Sequence, residues 1–415
     1  MAAPPLADRA FDIVLWGATG YTGRLVAAYL AKKSARIAIA GRNRDKLEAL
    51  RRDLAAETPS ASQLPILLGD AKDSASLEAI AAQTRVVCAT AGPFAQVGSG
   101  VVAACVKNGT SYCDITGEVQ WIRKMIDAHH DDAQHKRARI VPCCGFDSIP
   151  SDLGVWMVQE HARKHLGRAL SDIQLVVMDM RGGFSGGTAA SLIEVLAEAT
   201  RDRDIRRLLG NPHGLDPSPP SERRPEDRDQ RGVRWDADVA RWTGPFVMAG
   251  INTRIVRRTN ALLGYAYGQP FTYGESTSFG VGPGGFARAA LFTGGLGAFI
   301  GAATVPSLRE LIMRRLPAPG EGPTKEQRDR GRFTIRLTGK LEPGGAPRVV
   351  GEVVGRSDPG YGETSKMLGE AALCLAQDER RLPERFGLLT PASAMGDRLL
   401  ERLRTAGMTF ETRDV

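Results

Sequence analysis

Between Phe11 and Leu30 the apolar pattern changes its period. Phe11–Trp16 (FDIVLW) is a short apolar run of strand length, whereas Leu25, Val26, Tyr29 and Leu30 recur at helical spacing. Three glycines, Gly17, Gly20 and Gly23, stand between the two patterns, so the stretch predicts strand, tight turn, helix. The same alternation then repeats. Strands are predicted at residues 36–40, 65–68, 85–89, 110–114 and 139–143, with helices at 74–82, 98–107 and 118–134. Six strands alternating with crossover helices predict an α/β fold, with a doubly wound Rossmann domain over residues 1–145.

From about residue 146 the organisation changes. A helix at 153–164 is followed by a strand at 174–181, and the SGGTAAS stretch from Ser185 to Ser191 opens a helix over 192–199. Residues 210–234, rich in Pro and Arg, predict a long surface loop. Residues 333–339 and 349–355 alternate as antiparallel strands around Pro343, Gly344 and Gly345. Helices at 363–377 and 394–406 close an α+β substrate domain spanning 146–415, the last helix packing back on the first domain. Residues 289–305 (AALFTGGLGAFIGAATV) are uncharged and precede the basic amphipathic LRELIMRRL. Spanning a membrane takes about 20 strongly apolar residues. This shorter, glycine-bearing run is expected to form a buried or interfacial helix pair that lines an acyl tunnel or rests on a membrane surface. A plain core helix is the alternative.

The glycine turn carries the first chemistry. Gly17 lets the chain turn sharply, Gly20 lets a pyrophosphate approach the backbone, and Gly23 lets the helix pack closely on the strand. Thr19 and Tyr21, in the same turn, join them as candidate cofactor-binding residues. The cofactor's identity is decided at the end of the second strand. An NAD site places a carboxylate there for the ribose hydroxyl, but this chain has Gly41, Arg42, Asn43 and Arg44. Arg42 and Arg44 argue for the 2′-phosphate of NADP(H), with Asn43 between them a further candidate cofactor-binding residue. Small residues after the fourth strand, Ala91 and Gly92 among them, suit the passage of the cofactor's ribose and nicotinamide side. Asp70 reads either as an acceptor for the adenine amino group or as a turn residue.

The sixth strand runs into PCCGFDSIPSDLG, which brings Asp147, Ser148 and Ser151 to the sheet edge where the nicotinamide is expected. Ser151 and Asp152 read better as helix caps. Cys143 and Cys144 read as core residues, since no sequence neighbour lowers a thiol pKa. His129, His130 and His135 lack the spacing of a helical metal pair and read as surface residues. A Tyr29–Lys33 pair matches the Y-x-x-x-K spacing of short-chain dehydrogenases, but it lies on the helix leaving the glycine turn and reads as coincidence.

Composition changes this picture little. At 415 residues, 42% hydrophobic and 25% charged, the chain has enough material for two or three domains. Six cysteines without a C-x-x-C pair suggest no metal site, no disulfide framework and a reducing, cytoplasmic setting. The N-terminus shows no basic start before an apolar core, so no secretory signal is expected. A net charge of +8 without nucleic-acid-binding motifs favours small or acyl-bearing anionic partners: a phosphorylated cofactor, a thioester, an acidic carrier protein or a lipid surface. Peripheral membrane contact through residues 289–316 and self-association are further expectations.

Taken together, GATGYTG (Gly17 to Gly23), AGRN (Ala40 to Asn43), ATAGPF (Ala89 to Phe94), YCDITGE (Tyr112 to Glu118), GFDSIPSD (Gly145 to Asp152) and SGGT (Ser185 to Thr188) resemble the saccharopine dehydrogenase-like oxidoreductases. DPGYGET (Asp358 to Thr364) and LLTPASAMGDRLLERL (Leu388 to Leu403) extend the resemblance over almost the whole chain. Within that family the chain is most similar to the trans-acting enoyl reductases, stand-alone proteins that supply a missing reductase step to a polyketide synthase module in phthiocerol-type lipid biosynthesis. The resemblance implies hydride transfer from NADPH to the β-carbon of an enoyl thioester held on a carrier domain, with a proton delivered to the α-carbon. Asp147, Ser148 and Tyr112 are the candidate donors. A saccharopine-type amino-acid dehydrogenase and a non-catalytic NADP-binding sensor or membrane-associated scaffold are the competing readings.

Overall fold

The computed structural model describes residues 4–182, 186–217, 224–315 and 321–415. Its strands form two seven-stranded sheets. The first is wholly parallel, in the order β13-β6-β5-β4-β1-β2-β3. It is built from β1 (Phe11–Trp16), β2 (Ile37–Gly41), β3 (Ile66–Leu68), β4 (Thr84–Ala89), β5 (Ser111–Asp114), β6 (Arg139–Val141) and β13 (Gly387–Leu388). Ile13, Val14 and Leu15 of β1 have no exposed surface, as expected of a strand covered on both faces. The crossovers are α1 (Tyr21–Leu30), α2 (Arg44–Glu57), α3 (Ser74–Ala82), α4 (Phe94–Val97), α5 (Ser99–Lys107) and α6 (Val119–His135). Chain order reverses between β1 and β4, which puts the switch point of the sheet directly after the glycine turn.

Six strands do not complete this sheet. Its seventh, β13, returns from near the C-terminus and pairs with β6 through Gly387 and Leu388. The covering layer is likewise borrowed, because α14 (Thr364–Gln377) packs on α1, β1, β4 and β5. Glu370 of α14 accepts from Tyr29 of α1 (2.5 Å) and from Lys33 just beyond that helix (2.8 Å), and Arg402 of α15 (Pro391–Thr405) reaches it at 3.1 Å. The Tyr29–Lys33 pair is therefore a clamp between the start and end of the chain.

The second sheet is mixed, in the order β14-β12-β11-β7-β10-β9-β8. It comprises β7 (Asp172–Arg181), β8 (Arg234–Asp236), β9 (Arg241–Pro245), β10 (Thr272–Gly280), β11 (Arg332–Lys340), β12 (Pro347–Gly355) and β14 (Thr409–Asp414); only β7 and β10 pair in parallel. Four of these, β8, β9, β10 and β14, were not expected from the sequence. Its helices include α7 (Ile149–Leu166), α8 (Gly186–Arg201), α9 (Arg203–Leu209) and α10 (Ala249–Leu262). The expected surface loop over 210–234 is partly internal. Asp216 and Asp227 are buried and both face His213, while Arg257 of α10 donates to the carbonyls of Asp227 and Tyr273. Ser185 of the SGGT stretch lies outside the described residues, and α8 begins at Gly186. Residues 289–305 belong to one continuous helix, α11 (Gly282–Thr304), followed by α12 (Pro306–Met313); most of this arm is exposed, so the core-helix reading fails.

Candidate active site

Backbone contacts fix the glycine turn. Gly17 sits at φ +80°, and a Cβ there would come within 2.7 Å of the Ala91 nitrogen in the loop after β4. At Gly23 a Cβ would lie 2.3 Å from the Gly17 carbonyl oxygen, so α1 can approach β1 only without a side chain. Thr90 joins the two loops by donating its hydroxyl to the carbonyls of Trp16 and Gly17, each at 3.1 Å. No side chain caps the start of α1 at Gly20. Its first-turn N–H groups and partial positive charge suit a phosphate, so the cradle fits a dinucleotide. Thr19 is half-buried there and lends its carbonyl to Arg24. Tyr21 contributes through its backbone alone. Its ring packs edge-on against Tyr361 at 4.7 Å and its hydroxyl donates to the Pro323 carbonyl, with the Arg328 guanidinium donating to the same hydroxyl.

At the end of β2, Arg42 and Arg44 are exposed, and neither forms an ion pair among the described residues. Asn43 spends its side-chain oxygen on the Lys46 N–H (2.9 Å), capping α2. Asp70 is exposed after β3 and accepts the Lys72 N–H at 2.9 Å, as a turn residue does. Its other oxygen accepts no hydrogen bond among the described residues. Gly92 lies beside Ala91 in the loop that precedes α4.

The ends of β5 and β6 hold a group of buried acids. Asp114 accepts from the Thr116 and Cys143 N–H groups (3.0 and 3.1 Å) and from the Tyr112 hydroxyl (2.9 Å). Burial still pushes its carboxyl up to about 7. Asp147 follows β6 and is partly exposed. Burial of its carboxyl and the nearby Asp114 charge raise it to about 8, against a hydrogen bond from its own backbone. The pocket around it is tight: a Cβ on Gly145 would sit 2.8 Å from Asp147 Oδ2 and 2.9 Å from Thr364 Cγ2. A neutral carboxyl thus stands at neutral pH on the edge that carries the glycine cradle, three strand spacings or about 15 Å along the sheet.

The other two candidate donors are fully buried, with their hydroxyls turned to protein partners. Tyr112 has no exposed surface and its hydroxyl proton is held by Asp114, so it positions the β5 and β6 loops and cannot deliver a proton to the cleft. Ser148 is equally buried, and its hydroxyl donates to Asn252 Oδ1 at 3.0 Å. Asn252 in turn donates to Glu275 (3.0 Å), as does Tyr273 (2.7 Å), and burial lifts Glu275 to about 7. This polar chain ties α7 to α10 and β10. Ser151 and Asp152 do not cap α7 either, since the helix starts at Ile149. Asp152 instead accepts from Thr259 (2.5 Å) and from the Ala392 N–H (2.8 Å) at the start of α15. Cys143 and Cys144 are fully buried. His130 is half-buried and accepts the Leu388 N–H at 3.1 Å, so it is not a free surface residue.

Sequence reasoning assigned no role to Glu118, whose carboxylate accepts the Phe94 and Ala95 N–H groups (2.9 and 2.8 Å) and the Ser191 hydroxyl (3.2 Å). It fixes the loop after β4 against α8. An acid four residues beyond the acid that ends β5 was the available signal. Thr364 was also missed; its hydroxyl accepts the Phe146 N–H at 3.0 Å and so steadies the residue before Asp147.

A phosphate-ready glycine turn at the switch point of a parallel sheet, a basic end to β2 and a neutral acid at the same edge define an NADP-linked oxidoreductase. Residues 13–141 match the family described as saccharopine dehydrogenase NADP-binding domain. A Mycobacterium tuberculosis protein, provisionally named a trans-acting enoyl reductase, is 44% identical over 99% of both chains. The trans-acting enoyl reductases of Mycobacterium bovis and Mycobacterium ulcerans are 39% and 38% identical over 98% and 97% of both chains. Saccharopine dehydrogenase (L-Glu forming) from Saccharomyces cerevisiae shares the fold at 14% identity and a TM-score of 0.53, covering 97% of this chain and 99% of its own. The chain belongs to the trans-acting enoyl reductase family of saccharopine dehydrogenase-like oxidoreductases.

Proposed function

We propose that the protein reduces the carbon–carbon double bond of an enoyl thioester with NADPH, acting in trans on an acyl chain carried by a polyketide synthase carrier domain, in phthiocerol-type lipid biosynthesis. NADPH, when bound, supplies a hydride for the β-carbon. Gly17, Thr19, Gly20, Tyr21 and Gly23 offer it backbone, Arg42 a guanidinium for the 2′-phosphate, Asn43 its backbone, Asp70 a carboxylate oxygen, and Ala91 and Gly92 a wall without bulk. Asp147 keeps a proton on its carboxyl and gives it to the α-carbon as the β-carbon takes the hydride. The carboxylate left behind is reprotonated from solvent, to which Asp147 has partial access.

The observation that carries this reading is the Asp147 carboxyl, pushed up to about 8 by burial on the sheet edge that carries the glycine turn, in a chain similar along its whole length to trans-acting enoyl reductases. The test is NADPH oxidation with a 2-enoyl thioester on phosphopantetheine or on a carrier protein, run beside NADH. Consumption of NADPH with formation of the saturated thioester is expected. Tight NADPH binding with no turnover on short, medium or long acyl chains contradicts it.

A further inference from the structure

Helix α11 runs 23 residues, about 35 Å, and from Ala289 to Leu308 it and the start of α12 carry no charged side chain. Surface helices present charge to water on their outer face. This one does not. Gly285, Ala289 and Ala303 lie buried against the domain, where α11 packs on β9, β10 and α8. The outer positions, including Ala290, Leu291, Gly295, Ala298, Ile300 and Gly301, are all exposed, and Leu291 shows 80% of its surface. At 100° per residue these positions sweep roughly 200° of the helix circumference. One partner helix covers a narrower seam than that, so the face is shaped for immersion in an apolar medium.

The two ends of the arm specify the medium. At the N-terminal end of α11 the rings of Trp235, Trp242 and Phe286 form an edge-to-face cluster with centroids 5.5 and 5.0 Å apart, and Trp235 is 44% exposed with Arg234 beside it. Beyond the C-terminal end, α12 exposes Leu308, Leu311 and Met313 and is followed by Arg314 and Arg315, with Glu310 as its one acid. Exposed indole, an apolar stretch and flanking arginines match a headgroup region over acyl chains. The helix is long and apolar enough to cross a bilayer, but the stripe through Gly285, Ala289 and Ala303 packs it on β9, β10 and α8, so it lies in the plane of the surface. We propose that α11 and α12 seat the protein on an anionic bilayer surface. Because α11 packs on α8, whose Ser191 donates to Glu118 beside the cofactor loop, this seating sets the mouth of the active site near the membrane.

The test is flotation of the full chain with phosphatidylcholine vesicles, with and without phosphatidylglycerol. The expected result is co-flotation with the phosphatidylglycerol vesicles, a blue shift of tryptophan emission, and weaker binding to pure phosphatidylcholine. Leu291→Asp with Leu308→Asp, both at exposed positions, is expected to lower partitioning at least about tenfold while thermal unfolding and NADPH binding stay unchanged. Arg314→Gln with Arg315→Gln is expected to weaken only the phosphatidylglycerol-dependent part. Absence of flotation with both vesicles overturns the proposal. So does a vesicle-free dimer that Leu291→Asp dissociates, because the face then belongs to a second copy of the chain.

Discussion

The two sheets solve different problems with different materials. The parallel sheet is filled with Ile, Val, Leu and Ala, and its cradle is made of backbone: what matters at Gly17 and Gly23 is the absence of a side chain. The mixed sheet is held by buried polar and charged groups. Arg254 pairs with Asp229 at 2.5 Å, Arg257 reaches two carbonyls, and Arg258 donates to the carbonyls of Leu215 (2.6 Å) and Leu388 (2.7 Å). Through Leu388 that network reaches the parallel sheet itself. Shape therefore governs the parallel sheet, and buried charge governs the mixed sheet and the junction.

The contrast is most exposed at the junction. Glu370 is buried and gathers Tyr29, Lys33 and Arg402, so Glu370→Ala leaves a partly buried cluster without its acceptor. A loss of about 3 kcal/mol in urea unfolding is expected, with Glu370→Gln losing less. On the cofactor side, Gly23→Val must displace α1 from the Gly17 carbonyl. A shift of an ångström costs on the order of 100-fold in turnover, and kinetics with saturating substrate check it. If Glu370→Ala instead lowers turnover more than stability, the division between shape and charge is wrong.

The pH dependence of stability sharpens the same point. Asp114, Asp147, Asp152 and Glu275 have carboxyls raised to about 7 or 8 by burial. In the unfolded chain they ionise near pH 4, so between about pH 4 and 8 the unfolded state binds fewer protons and stability falls as pH rises. Asp227, lowered to about 2 with help from His213 and Arg224, acts oppositely and loses its contribution as pH falls below 4. Urea midpoints measured from pH 5 to 8.5 are expected to decline, and Glu275→Gln is expected to flatten the decline. The smallest effect belongs to Arg42, exposed and without an ion-pair partner among the described residues: Arg42→Ala is expected to raise the KM for NADPH about tenfold and leave that for NADH unchanged.

Legibility in the sequence followed the same division. Strands buried on both faces read as apolar runs, and helix Ser74–Ala82 was predicted to the residue. α10 was not predicted, because its buried positions include Asn252, Arg254, Arg257 and Arg258 and so show no apolar period. β13 is two residues long and has no periodicity to read. The position of Asp147 was legible because a strand end delivers it, while the burial of Tyr112 and Ser148 was not, because residue type and position cannot say which way a hydroxyl is turned. The outward apolar face of α11 was legible as composition, but its exposure came only from the fold.

The central claim rests on Asp147 acting as a neutral acid. The direct measurement is NADPH oxidation by a carrier-bound 2-enoyl thioester from pH 6 to 9, for the protein and for Asp147→Asn, with NADPH affinity measured alongside. The account predicts turnover that falls as pH rises through about 8, and a loss of 100-fold or more in Asp147→Asn with NADPH affinity retained. Undiminished turnover in Asp147→Asn, with an unchanged pH profile, would contradict it.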